Sequence, residues 1–162
     1  MEINKDSIDN EINSKPLQFS RHMLYILYND TNNLTYNGYT VDFNHRLRQH
    51  NCELVGGARF TSKQVKNKNI IWKPLALIRV LNDDFDQRRA LSVEWHIKYC
   101  DNKRPRPVKY NNSLGRLRGL GLVFNNPKFA DLIFHVEVFT AEHFAVLKSV
   151  CPEKIVITQL IQ

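Results

Sequence analysis

The sequence predicts an α+β fold: a small central three-stranded, mainly antiparallel sheet flanked by helices, with a helix and strand extension at the C-terminus. Three observations carry that expectation. Residues 23–29 form an apolar, β-prone run, and a polar turn at 30–33 separates it from a second short run ending near Tyr39, the pattern of a hairpin. Residues 70–81 are almost continuously apolar apart from Lys73 and Arg79, as in a buried central strand. Beyond them Ala90, Val93 and Ile97 recur at helical spacing.

Taken in order, residues 1–20 are polar, mixed in charge and aperiodic, which predicts a flexible tail. Strands at 24–28 and 34–39 make the hairpin, and Asp42 is suited to cap a helix running to about His50. Residues 51–69 read as a loop with paired glycines and several lysines. Pro74 is tolerated in the next strand only near an edge or bulge. Asp83 or Asp84 then caps a helix of about 16 residues. A basic, proline-bearing connector follows at 101–112. Leu114, Leu117, Leu120 and Leu122 suggest a helix that Gly115, Gly119 and Gly121 weaken. Last come a strand at 132–139, a helix at 141–150 and a strand at 154–160. The expected organisation is a tail at 1–20, a main domain at 21–110 and an extension at 111–162 packed on it.

A chain of 162 residues with 43% hydrophobic composition has room for one domain with a real core. It offers no apolar run long enough for a membrane span and no signal-peptide pattern at its polar, acidic start. An intracellular protein is expected, in the nucleus or cytoplasm and not secreted. The net charge of +7 and pI near 9.4 favour a polyanionic partner. Residues 61–110 hold twelve of the 23 basic side chains against five acids, so the excess is concentrated there. Lys63, Lys66, Lys68 and Lys73 fall after the paired glycines, while Lys98, Lys103, Arg104 and Arg106 follow the Ala90 helix. Such a run can be a solvated face; beside a phosphodiester site it is better read as a DNA-contacting rim. Cys52, Cys100 and Cys151 are far apart, which argues against a disulfide framework and a structural zinc site.

Within 36–50, Tyr36 closes a strand while Arg46 and His50 share a helical face at i, i+4. Taken singly these features commonly mean packing or a solvated face. Arg46 offers a planar, permanently charged fork suited to phosphate oxygens. Arg48 and Arg59 are suited to contact DNA backbone or acidic side chains. Glu94 offers a hard carboxylate oxygen, and one carboxylate with waters and substrate phosphate is a common way to hold Mg²⁺.

The order of these pieces resembles the GIY-YIG nuclease family. Met23-Leu24-Tyr25 stands where the first signature triplet belongs and Tyr36-Asn37-Gly38 where the second belongs. The remaining wording is similar to the Slx-type structure-specific endonucleases, with Gly38-Tyr39-Thr40-Val41, Arg46 to Asn51, Gly56-Gly57-Ala58 and Ala90-Leu91-Ser92-Val93-Glu94-Trp95. The similarity runs over about residues 22–140. In both triplets only the tyrosines and the last glycine are retained, which bears on strand packing more than on chemistry.

That resemblance implies the GIY-YIG nuclease fold and a site of Tyr25, Tyr36, Arg46, His50 and Glu94, with Glu94 binding Mg²⁺ or a substituting Mn²⁺. It implies a tyrosine as general base. Tyr25 is favoured, with Tyr36 orienting water or phosphate, and the sequence leaves their roles open. A phenol of ordinary pKa ~10 needs a nearby cation to serve. His50 would relay a proton or bond a tyrosine hydroxyl, unless it is a buried structural histidine. Gly38 stands where a side chain would crowd the approaching phosphate. Cellular Slx-type enzymes dock a scaffold through a RING-like zinc domain. No such domain is legible here, which places that partner in doubt; the chain acting alone, as a homodimer or with a scaffold stays open.

The expected activity is therefore metal-dependent hydrolysis of DNA phosphodiesters, on branched or flap DNA, in repair or recombination. A homing-type or repair nuclease acting on duplex or damaged DNA is the second enzymatic reading. A catalytically silent nucleic-acid-binding module is the non-enzymatic one.

Overall fold

The computed structural model describes residues 18–161. Residues 1–17, most of the expected tail, lie outside that range. A five-stranded sheet organises the chain, in the order β2-β1-β3-β4-β5. It comprises β1 (Met23–Tyr28), β2 (Thr35–Thr40), β3 (Lys73–Val80), β4 (Phe134–Val138) and β5 (Val156–Gln159). The three-stranded expectation is corrected here. The two strands assigned to a C-terminal extension join the same sheet, β4 antiparallel to β3 and β5 parallel to β4. Local pattern could locate these strands but not their neighbours, because pairing joins residues far apart in sequence.

β1 and β2 form the expected antiparallel hairpin, with Tyr25 opposite Gly38 and Leu27 opposite Tyr36. Asn29 holds its turn, its Oδ1 accepting from the backbone N–H of Thr31 and of Asn32. Where β3 pairs with β1 the register shifts between Ile26 and Leu27, and Pro74 sits at that irregularity. β3 meets β4 only from Ala76 onward, so no ladder bond to β4 is asked of Pro74.

Helix α1 (Phe43–His50) begins as expected at Asp42, whose Oδ1 accepts from His45 N at 3.0 Å. Residues 51–69 are not all loop, since α2 spans Arg59–Lys68. That helix escaped detection because its buried residue is the polar Thr61 and its N-cap, Ala58, makes no side-chain bond. α3 (Gln87–Lys98) is shorter than expected and is capped by Asp86, not by Asp83 or Asp84. The buried pair Phe85 and Ala90 flanks that cap as a hydrophobic staple. α4 (Ser113–Phe124) forms despite its glycines. Gly119 and Gly121 give close approach to Cys100 and Val150, and Leu122 is exposed instead of completing the leucine stripe. α5 (Ala141–Val150) leads into β5.

Strand alternation divides the interior. Leu24, Ile26, Ala76 and Ile78 face α3 and α4 in the larger core, while Tyr25, Leu27 and Leu77 face the other side with Ile70 and Trp72. Phe43 and Leu47 of α1 and Val65 of α2 pack on that second cluster, which is what brings their polar neighbours over the hairpin. Among the described residues no helix is long and apolar enough to cross a membrane.

Candidate active site

Tyr25 lies at the centre of the second cluster, fully buried, with its ring across Gly38 of the neighbouring strand. A Cβ on Gly38 would stand 2.3 Å from the Tyr25 hydroxyl oxygen. The glycine is thus required by the tyrosine ring itself, where the sequence suggested crowding of a phosphate.

A chain of hydrogen bonds runs inward from that hydroxyl. Tyr25 Oη is 2.8 Å from His50 Nε2, and His50 Nδ1 is 2.7 Å from Thr61 Oγ1. Thr61 Oγ1 in turn donates to the Ala58 carbonyl at 3.0 Å. The threonine has one proton, and giving it to Ala58 O leaves Oγ1 as acceptor, so His50 carries its hydrogen on Nδ1. Nε2 is then a bare acceptor, and Tyr25 donates to it. This assignment satisfies every contact in the chain. Loop 51–58 and the first turn of α2 thereby decide the tautomer of a histidine on α1.

Arg46 closes the other side. Its Nε donates to Tyr25 Oη at 3.2 Å, and its Nη1 donates to Gln49 Oε1 and the Gly56 carbonyl. The guanidinium also bears on the Tyr36 hydroxyl, so one cation serves both tyrosines. Gly56 adopts a positive φ of 98°, the backbone turn that presents its carbonyl to Arg46. Tyr36 rests with its ring centroid 5.0 Å from that of His50 and its outer side against Phe60.

Burial sets the protonation states. The Tyr25 hydroxyl is pushed up to about 12 by burial, against the pull of Arg46. His50 is pushed down to about 4, by burial first and by Arg46 second. At neutral pH the pair is a neutral phenol and a neutral imidazole, which is the state the tautomer argument requires. Tyr36 is also raised by burial, with Arg46 acting against it.

Glu94 arrives from α3, on the opposite face of the sheet. Asn37 Nδ2 donates to the Glu94 carbonyl at 3.3 Å, tying that helix to edge strand β2 one residue beyond Tyr36. Its half-buried carboxyl is raised above the ordinary carboxylate range by burial, while Lys98 and Arg46 draw it down. The carboxylate bears on both tyrosines, raising each. No cation contacts it among the described residues, so a partly desolvated anion stands without a partner. That donor chemistry fits a hard divalent cation held by one carboxylate, waters and substrate phosphate. No three His, Cys, Asp or Glu side chains gather among the described residues to make an all-protein cage.

Two further residues hold this arrangement and were not singled out from the sequence. One is Thr61, which stood inside the Gly-Gly-Ala-Arg-Phe-Thr stretch read as loop. Arg116 of α4 is the other, 4% exposed. It donates from Nε to Thr35 Oγ1, from Nη1 to the Ile97 carbonyl and from Nη2 to Asn37 Oδ1. No acid faces it among the described residues, and burial pushes the guanidinium down to about 9. A basic residue between Leu114 and Leu117 was the one signal for it.

The expected DNA-contacting residues divide into separate groups. Arg59, Lys63 and Lys66 line a groove with Gly56 and Gly57, and Lys68 is exposed farther along α2. Lys98 and Arg104 line a pocket that includes Glu94, with Lys103 exposed nearby in sequence. Others already have partners: Arg48 pairs with Glu53, Lys73 with Asp30, and Arg106 donates to the Lys98 carbonyl and to Asn111.

Comparison with known proteins gives the family. "Structure-specific endonuclease subunit SLX1 homolog 2" of Trypanosoma cruzi (strain CL Brener) is 32% identical over 118 residues, 67% of this chain and 20% of that protein. "Structure-specific endonuclease subunit SLX1 homolog" of Leishmania infantum is 43% identical over 60 residues, 37% of this chain and 8% of that protein. The chain therefore spans about a fifth or less of the length of these relatives. The family model of the GIY-YIG catalytic domain matches residues 21–111. That match takes in the hairpin, α1, α2, β3 and the Glu94 helix, more than half of the sequence, and the chain belongs to the GIY-YIG family of endonucleases.

Proposed function

We propose that this protein is a metal-dependent endonuclease that hydrolyses phosphodiester bonds of branched or flap DNA, as in repair or recombination. The observation that carries the reading is the oriented chain from Tyr25 through His50 to Thr61, with Arg46 at its mouth. Tyr25 Oη takes a proton from the attacking water as its own proton passes to His50 Nε2, which Thr61 and Ala58 hold ready to accept. Because Tyr25 is covered in the free protein, Arg46 must shift as a phosphate draws its guanidinium outward. Its guanidinium then binds a non-bridging oxygen and stabilises charge that grows in the displacement. Tyr36, on the rim, orients the water or the phosphate. Glu94 would hold Mg²⁺, with Mn²⁺ able to replace it, and the bound ion would supply charge neutralisation at the phosphoryl and leaving oxygens. Branched substrates are suggested by the names of the relatives, while the basic side chains on α2 and after α3 favour nucleic acid in general.

The deciding measurement is a panel of 5′-flap, junction and plain duplex DNA, with Mg²⁺, Mn²⁺ or chelator, run on wild type and Glu94→Ala. Cleavage of the branched members that Glu94→Ala abolishes while binding persists is the expected result. Wild-type protein that binds these DNAs but never nicks them would make it a silent binding module. Undiminished cleavage by Glu94→Ala would remove the carboxylate from the mechanism.

A further inference from the structure

Helix α3 presents more than Glu94 on its outer side. Glu94 and Trp95 lie three and four residues after Leu91, and Lys98 lies four and three after them, so all four share one helix face; with Tyr99 and Arg104 they line a pocket of about 340 Å³. Its size lies at the low end for small-ligand sites. The Trp95 and Tyr99 rings lie 5.2 Å apart, partly exposed. The Arg104 guanidinium stands 4.9 Å above the centroid of each, and Lys98 Nζ is 5.4 Å from the Tyr99 ring. Neither cation meets an acid in an ion pair among the described residues. Leu91 is 46% exposed beside them.

We propose that this pocket, formed by Trp95, Tyr99, Arg104 and Lys98, receives one unpaired nucleotide adjoining the cleaved bond, its base stacked on the outward side of the Arg104 guanidinium. The proposal rests on the nuclease reading given above and names what part of the substrate the protein senses. Nucleobases stack on aromatic and guanidinium planes regardless of sequence, and a positive side chain beside the stack takes the phosphate. Here the guanidinium is prepared, because two rings already stand within cation–π distance of it and Arg104 is exposed. Glu94 belongs both to the pocket wall and to the reaction centre, so an occupant is a direct neighbour of the scissile phosphate. In a duplex both faces of each base are taken by its neighbours. Only a nucleotide at a branch, flap or nick end has a face to offer. The pocket would thus recognise the branch point itself and not its sequence.

The test places 2-aminopurine at the first unpaired position of a 5′-flap, or at the matching position within an unbroken duplex, and mixes each with wild-type protein without divalent metal. Binding should quench the flap probe and leave the duplex probe unchanged. With metal present, Arg104→Ala should raise KM on the flap roughly 10-fold, within the range of one base–aromatic contact, with kcat little altered. Arg104→Lys keeps the charge and loses the plane, so it should behave as Arg104→Ala does. An Arg104→Lys enzyme equal to wild type would reduce the site to a phosphate contact, and equal quenching of both probes would remove its preference for unpaired bases. Thermal melting of both variants checks that this exposed residue is dispensable for folding. Normal cleavage without flap quenching overturns the pocket alone, whereas absence of cleavage from every substrate overturns the nuclease reading.

Discussion

Gly38 lies directly opposite Tyr25 across the first hairpin, and the space a Cβ would need there is already filled by the tyrosine's hydroxyl and ring carbon Cζ, 2.3 and 2.5 Å away. The ring is fixed on its other side by His50 and tilted against Phe43, so it has little room to yield.

Gly38→Ala should therefore leave the sheet intact and expel the hydroxyl from its place. Overpacking of this kind costs about 1–3 kcal/mol, while displacing a reacting group by about 1 Å can cost 100-fold in rate. The expected outcome is a folded protein with a lowered melting temperature and cleavage reduced by about two orders of magnitude. Steady-state cleavage alongside calorimetry checks it, and wild-type turnover would show that the working enzyme does not use this ring position.

His50 makes stability depend on acid. Its folded pKa is held at about 4 against an unfolded value of 6.5, so above pH 6.5 both states are neutral and the group contributes nothing. Between 6.5 and 4 the unfolded chain binds a proton that the folded protein refuses, and stability falls as pH falls, by about 3 kcal/mol in all. His50→Gln has no such titration. Urea unfolding at about pH 7 and about pH 5 should show wild type losing about 2 kcal/mol more than the variant; equal losses would mean the imidazole is not held neutral.

Arg116 couples a helix beyond the family match to the site inside it. Replacing it with Met removes the donor from the Ile97 carbonyl, Thr35 and Asn37 together, although it also relieves a buried cation that no acid offsets. The unpaired acceptors should dominate, at about 2–3 kcal/mol, or roughly 5–10 °C in melting temperature for a chain of this size. Because Asn37 also holds the Glu94 backbone, kcat should fall more than KM rises. A variant that melts lower but turns over normally would confine Arg116 to stability.

Local signals located the candidate site residues better than the architecture. Tyr25, Tyr36, Arg46 and His50 converge as their spacing suggested, because hairpin register and one helical turn are short-range geometry. The Asp42 cap was legible for the same reason. Thr61 was not, since a helix whose buried position is polar has no apolar period to betray it. Asp83 and Asp84 have the cap chemistry the sequence reading expected, but Phe85 enters the core and the helix starts behind it, at Asp86. Least legible was the placement of β4 beside β3, across 54 to 62 positions, of β5 beside β4, 21 positions on, and of Arg116 against Asn37, across 79, all settled by packing and not by local pattern.

Glu94 gives the sharpest prediction about the metal. Its carboxyl is raised by burial, so in the free enzyme it protonates at higher pH than an ordinary glutamate. His50 and Tyr25, at about 4 and about 12, each keep one protonation state between those limits. Cleavage should accordingly rise with pH along a single acidic limb governed by Glu94 and then level off. Metal and proton compete for the same oxygens, so raising the Mg²⁺ concentration should move that limb to lower pH. Tenfold more metal should shift it by up to about one pH unit while metal is subsaturating. The measurement is kcat/KM against pH on a 5′-flap at two Mg²⁺ concentrations, and a limb indifferent to metal would mean that the titrating group is not the ligand.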